Sequence, residues 1–272
     1  MGTPESDHVF AGSVPATYEE RLVPLIFEPY ADDLVRRLAG FGTGSILEIA
    51  AGTGVVTRAL AAGLPGTVEI TATDLNQAMI DRAALVVTVR PVRWQQADVM
   101  SLPFEPASFD LVVCQFGVMF FEPKSAAFAE VHRVLRPGGR FLFNVWDGLD
   151  DNEFPAVISD AVAGLFADDP PRLFERTPYG YHDPDLIASD LEAGGFDAAP
   201  SFERVEFRRR AATPELVASA FCEGTPLRGE IEARGAGRLA ETVSVVAAAL
   251  AQRFGAADLE GRISAQVVAA VK

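Results

Sequence analysis

The sequence predicts an α/β protein built on a doubly wound, mostly parallel sheet. Two observations predict it. Short, almost wholly apolar runs alternate with amphipathic stretches as far as Trp146, and the first run leads through a glycine-rich turn into a helix. Strands buried on both faces read as continuous apolar runs, and helices between them become right-handed crossovers.

Taken in order, residues 1–16 read as a mobile end. From 18 to 38, Leu22, Leu25, Ile26, Leu34, Val35 and Leu38 have helical spacing, with Pro24 and Pro29 expected to break the helix into pieces. Phe41-Gly42-Thr43-Gly44 is a turn. Strands follow at 45–50, 68–73, 92–97, 109–114 and 140–146, with helices at 52–60, 76–89 and 126–135 and a turn at Arg136-Pro137-Gly138-Gly139. After Trp146 the rhythm fails. Residues 154–166 read as a helix that Asp169-Pro170-Pro171 stops, and 183–193 as another, with Asp183 as N-cap, Pro184 at the first position and Gly194-Gly195 at the end. Residues 202–208 alternate like a strand or hairpin arm, and 214–220 and 238–254 are helical. No linker interrupts the chain, which reads as one catalytic domain with an insertion and a helical C-terminal part.

Composition narrows the function. The 272 residues, 49 % apolar and 22 % charged, suffice for a large core without staples. A net charge of −15 opposes a phosphate backbone, so nucleic acid is not expected as a partner. The two cysteines, Cys114 and Cys222, sit in no zinc or disulfide pattern, which suits a reducing, cytoplasmic setting. No signal peptide or membrane span is visible, and the start Met1-Gly2-Thr3-Pro4-Glu5-Ser6 matches the myristoylation pattern too loosely to count. No dedicated metal site is expected, and a homodimer is compatible with the chain.

The most informative stretch is Ile46-Leu47-Glu48-Ile49-Ala50-Ala51-Gly52-Thr53-Gly54, from a buried strand into a helix at the switch point of a doubly wound sheet. Small residues there let a ligand lie against the backbone. Asp74, at the end of the second strand, can accept two hydrogen bonds from a ribose diol. Two cofactor classes use such a site. A dinucleotide wants G-x-G-x-x-G facing its pyrophosphate, and Thr57 stands where the third glycine belongs. S-adenosylmethionine (SAM) carries no phosphate. It needs small residues near Ala50–Gly54 and an acidic residue such as Glu48 close to the strand end.

At these residues the chain resembles the class I SAM-dependent methyltransferases, especially the small-molecule group that includes ubiquinone/menaquinone C-methyltransferase-like (methyltransferase type 11) proteins. The resemblance covers about residues 40–146. Glu48 to Gly54 looks like the SAM loop, usually E/D-x-G-x-G-x-G, and Asp74 like the ribose acid. Gln96-Ala97-Asp98-Val99 is similar to the adenine-contacting segment. Leu102-Pro103-Phe104 with Ser108-Phe109-Asp110-Leu111-Val112 resembles the entry to the fourth strand, and Glu130 to Gly139 the helix and turn before the fifth.

The resemblance implies a Rossmann-like sheet of seven strands with helical lid and insertion elements. It implies SAM held by Glu48, Ala50, Gly52, Gly54, Asp74, Leu75, Met79, Asp98, Val99 and Gln115. It divides the chain into a lid (1–40), a SAM-binding core (41–148), an insertion or substrate cap (149–182), the end of the core sheet (183–210) and a helical C-terminal part (211–272). One departure is Ala50, where a glycine is usual; its methyl group is tolerable if φ stays negative.

The chemistry asks for little beyond positioning. O-methylation would want a general base, C-methylation of an electron-rich ring less help. His182, in Tyr179-Gly180-Tyr181-His182-Asp183, is the base candidate among three histidines; His8 lies in the end segment and His132 in a structural helix. Gln115, after the fourth strand, is placed to touch the methionine tail or the acceptor. Tyr18 and Tyr30 belong to the lid or the core. Phe154, Phe166, Phe174, Phe221 and helix 240–250 suggest an apolar acceptor pocket. Arg204, Arg208, Arg209 and Arg210 form the one dense basic patch, read as a solvated strand edge. Asp169-Pro170-Pro171-Arg172 differs in place and last residue from the D/N-P-P-Y/F motif of amino-methyltransferases and reads as a helix stop. The expected function is methyl transfer to a small, apolar, aromatic or lipid-like acceptor. The alternatives are an NAD-dependent oxidoreductase on the same fold and a non-catalytic SAM-binding protein.

Overall fold

The computed structural model describes Phe10, residues 12–235 and residues 237–272; His8 and the myristoylation-like start lie outside the described residues. Among the described residues, seven strands form one sheet in the order β3-β2-β1-β4-β5-β7-β6. Strands β1 (Gly44–Glu48), β2 (Val68–Asp74), β3 (Arg93–Gln96), β4 (Phe109–Gln115) and β5 (Leu135–Trp146) pair in parallel. The last strand, β7 (Leu259–Val271), runs antiparallel between β5 and β6 (Ser201–Ala211). Chain order reverses between β1 and β4, so the loops at their carboxyl ends diverge and leave a crevice.

Alternation along the strands fixes the layers. Ile46, Leu111, Val113 and Leu142 face a cluster with Leu34 of α2 (Glu28–Arg37) and Val56 and Leu60 of α3 (Val55–Gly63). Leu47, Val112, Phe141 and Phe143 face the opposite side, with Phe128 and Val131 of α5 (Lys124–Val134). The helices that follow, α6 (Glu153–Leu165), the single turn α7 (Leu173–Arg176), α8 (Pro184–Ala193), α9 (Pro214–Gly224), α10 (Leu227–Ala233) and α11 (Arg238–Phe254), lie around this sheet. Asp183 caps α8 as expected, accepting the Asp185 N–H at 2.9 Å.

Four expectations change. The stretch Arg136-Pro137-Gly138-Gly139, expected as a turn, lies within β5, which already starts at Leu135. The C-terminal part is not wholly helical, because residues 259–271 are β7. The first nine residues of β7 alternate, Leu259, Gly261, Ile263, Ala265 and Val267 against Glu260, Arg262, Ser264 and Gln266, a strand signal that the sequence does carry; only the Val267–Val271 run lacks it. The helix begun at 76 stops early, as α4 (Gln77–Ala84), ahead of the β-branched run Val86-Val87-Thr88-Val89. Finally, Pro24 and Pro29 do not break the N-terminal segment. From α1 (Val14–Thr17), inside the expected mobile end, the chain continues through a wide π-helical stretch (Tyr18–Phe27) into α2. Pro24 has no N–H to give, and the Arg209 guanidinium donates to the carbonyls of Pro24 (2.6 Å) and Leu25 (2.9 Å).

Candidate functional site

A cavity of about 530 Å³ lies along the carboxyl ends of the parallel strands. The loop after β1 shapes one end with three left-handed residues, Ala50 (φ 52°), Gly52 (φ 56°) and Gly54 (φ 85°). The condition of negative φ at Ala50 therefore fails: the alanine occupies a conformation that suits glycine and carries backbone strain. Gly117, in the loop after β4, accommodates its methyl group. A Cβ at Gly117 would lie 2.5 Å from that of Ala50 and 2.7 Å from Cys114 Sγ.

Asp74 braces this loop. Its Oδ2 accepts the Gly52 N–H at 2.8 Å and its Oδ1 the Asn76 N–H at 2.8 Å. Burial pushes its pKa up, opposed by those two N–H groups. Each oxygen keeps a second lone pair for a ligand.

Of the sequence-derived cofactor residues, Ala50, Gly52, Asp74, Leu75, Met79, Asp98, Val99 and Gln115 line the cavity. Leu75, 48 % exposed, leaves an apolar side chain open beside Asp74. Asp98 also caps the turn after it, accepting the Met100 N–H at 2.9 Å. Gln115 donates through Nε2 to the Phe27 carbonyl (3.3 Å), and its Oε1, buried, has no partner. Glu48 and Gly54 stand behind the wall. Glu48 accepts the Thr57 hydroxyl at 2.5 Å, and burial pushes its pKa up to about 8. Gly54 opens α3, where a Cβ would lie 2.7 Å from the Trp94 ring.

The other end is aromatic. Phe27, Phe116, Trp146, Phe174, Tyr179 and Phe221 line it. Phe116 is also left-handed (φ 53°). Its N–H reaches Asn144 Oδ1 at 3.0 Å, and its ring stacks on Trp146 at 3.7 Å between centroids, 5° from parallel. Sequence reasoning named Phe174 and Phe221 but missed Phe27, Trp146 and Tyr179 as cavity walls. Trp146 was within reach, since it ends a strand whose carboxyl end must face the crevice; nothing local marks Tyr179. Phe154 and Phe166 do not line the cavity, and neither does α11. Tyr18 lines it and stacks on Phe27 at 5.1 Å, whereas Tyr30 is core, donating to the Val205 carbonyl at 3.1 Å.

His182 does not fit the general-base role. It is exposed, outside the cavity lining, with Nδ1 2.9 Å from the Tyr179 carbonyl oxygen. His132 packs edge-on against Phe196. The basic patch is matched by carboxylates: Arg204 pairs with Asp147 and Asp151, and Arg208 and Arg210 pair with Glu260.

Charge supports SAM as the fitting cofactor. Among the described residues lining the cavity are Asp74, Asp98 and Glu122, and no Arg, Lys or His. Such a wall favours a cation and opposes a pyrophosphate. The unpartnered Gln115 Oε1 needs a donor, which an α-ammonium group supplies.

Known proteins point the same way. The profile described as a methyltransferase domain matches residues 47–143. The ubiquinone/menaquinone biosynthesis C-methyltransferase UbiE of Burkholderia vietnamiensis is 33 % identical over 165 residues, 56 % of this chain and 67 % of that protein. The protein of the same name from Burkholderia mallei is 38 % identical over 114 residues, 39 % of this chain and 46 % of that one. The chain thus spans two thirds of the first relative and under half of the second. The SAM complex of phosphoethanolamine N-methyltransferase 2 from Haemonchus contortus shares the fold, with TM-score 0.61 and 19 % identity over 100 % of this chain and 60 % of that one.

Proposed function

The chain belongs to the class I SAM-dependent methyltransferases, and on that premise we propose that it methylates a flat, apolar small molecule at carbon or oxygen. The observation that carries this reading is one continuous cavity, acidic and backbone-lined at one end and aromatic at the other.

When bound, SAM supplies a methyl group already activated by its positive sulfur. Asp74 accepts hydrogen bonds from the ribose diol, each worth ~1.5–3 kcal/mol. Leu75 and Met79 pack on the adenine, with Asp98 and the Val99 N–H at its edge. Ala50 and Gly52 let the cofactor lie on the backbone, and Gln115 Oε1 takes the α-ammonium. The aromatic wall orients the acceptor and excludes water.

Among the described lining residues no neutral imidazole or amine stands ready as a base. That favours an acceptor bringing its own electron-rich atom, a ring carbon or an ionised oxygen, over a neutral alcohol. The name of the UbiE relatives places C-methylation in ubiquinone and menaquinone biosynthesis, and the ring carbon of a quinol fits this description. The acidic chain makes nucleic acid an improbable partner; a cytoplasmic location and a homodimer complete the reading. No helix among the described residues is long and apolar enough to cross a membrane.

The test is transfer of label from methyl-labelled SAM to a panel of aromatic, lipid-like and polar acceptors. Label on aromatic or quinol acceptors alone supports the reading. Label on polar amines, or on none, contradicts it.

A further inference from the structure

The aromatic end of the cavity contains few polar side-chain atoms, and most have partners. The Thr225 hydroxyl donates to the Phe221 carbonyl at 2.7 Å. Gln115 Nε2 is turned to the Phe27 carbonyl. Glu122 is half-exposed, 4.0 Å from Lys124 Nζ.

Tyr179 differs. It lines the cavity and is only 5 % exposed. Its ring is fixed by Trp146 at 5.9 Å and by the edge of Phe174 at 5.9 Å. Its backbone is held too, the N–H donating to the Phe174 carbonyl. Yet among the described residues no hydrogen bond involves its hydroxyl. Unlike Gln115 Oε1, the hydroxyl is not fully buried: it keeps surface open to the cavity that the residue lines. A rigid ring with an unpaired hydroxyl, set in an aromatic wall, suits a ligand that brings the missing acceptor.

We propose that Tyr179 is the orienting hydrogen-bond donor of the acceptor site, and that it selects flat aromatic molecules bearing an oxygen on the ring. The rest of the wall offers area, and the Phe116–Trp146 stack offers a flat face. Area alone would let a symmetric ring sit in several orientations. One hydrogen bond to a ring oxygen defines which ring atom is presented. Burial pushes the Tyr179 phenol up, so it keeps its proton at neutral pH and serves as a donor, not as a base.

This inference rests on the methyltransferase reading, and its test separates the two. The protein is loaded with S-adenosylhomocysteine and titrated calorimetrically with 1-naphthol and with 1-methylnaphthalene, which has nearly the same shape but no oxygen. The expected result is about fivefold tighter binding of 1-naphthol, the worth of one neutral hydrogen bond. In Tyr179→Phe that preference disappears, while affinity for 1-methylnaphthalene and S-adenosylhomocysteine stays the same. The wild-type comparison needs no variant and therefore stands even if Tyr179→Phe folds poorly. Equal affinity for the two probes, binding of neither by the loaded protein, or a preference that survives in Tyr179→Phe overturns the proposal. Failure to bind S-adenosylhomocysteine overturns the methyltransferase reading, and this proposal with it.

Discussion

Under β1 and β2 the cavity wall is largely backbone. Ala50 and Gly52 turn left-handed, and Asp74 holds two N–H groups of neighbouring loops. Under β4 and β5 the wall is side chains, with Phe27, Phe116, Trp146, Tyr179 and Phe221 arriving from segments far apart in the chain. The first kind of wall is sensitive to added atoms, because nothing there can change rotamer to make room. The second kind can change its ligand by exchanging side chains while the backbone, and with it the cofactor end, stays in place. A family that keeps one cofactor and varies its acceptors needs both.

Four changes test that division, from the largest expected effect down. Gly117→Val puts branched atoms against Ala50 and Cys114 where a single Cβ already lies 2.5 Å away. It should destabilise by about 3 kcal/mol, lower Tm by roughly 5–10 °C and abolish S-adenosylhomocysteine binding. Thermal melting and calorimetry check this, and an unchanged Tm would break the account of a wall intolerant of atoms.

Glu48→Gln is next. In the fold Glu48 retains its proton up to about pH 8, against an ordinary value of 4.5. The unfolded chain binds fewer protons between those values. The stability carried by that proton is complete below the unfolded pKa and is lost as pH rises through the folded one. Wild-type Tm should fall between pH 5 and pH 8. Glu48→Gln should flatten that fall and exceed wild type at pH 8 by about 2 kcal/mol or more. Raised Asp74 contributes in the same direction, so some slope will remain. Parallel slopes in the two proteins would show that Glu48 is ionised in the fold.

Ala50→Gly should raise stability by about 1 kcal/mol, because relief of left-handed strain slightly outweighs the added chain entropy. A lower Tm would mean that the Ala50 methyl packs better than its backbone suffers. The smallest effect is expected for His182→Ala, which lies outside the cavity. Methyl transfer should stay within about twofold, as for surface changes generally, and a large loss would restore the histidine as a base.

The glycine-loop end of the cavity was legible in the sequence because its determinants are local. A strand, a glycine turn and an acid at the next strand end are contiguous stretches, and their spacing carries the geometry. Even there, the sign of φ at Ala50 was invisible, since it depends on the space that Gly117 leaves across the crevice. The aromatic end was mostly illegible. Phe27 and Phe221 come to line one cavity only through the tertiary fold, and a phenylalanine pattern cannot separate a cavity wall from the core, as Phe154 and Phe166 show. β7 was legible: Leu259, Gly261, Ile263, Ala265 and Val267 alternate with Glu260, Arg262, Ser264 and Gln266, and only the small-residue run after Val267 blurs the strand signal.

The most direct test of the central claim is calorimetric titration of the protein with S-adenosylhomocysteine and with NAD, repeated on Asp74→Ala. The account predicts binding of S-adenosylhomocysteine, about a hundredfold weaker in Asp74→Ala for the loss of two charge-assisted hydrogen bonds, and no heat with NAD. Binding of NAD without S-adenosylhomocysteine, or affinity untouched by Asp74→Ala, would contradict it.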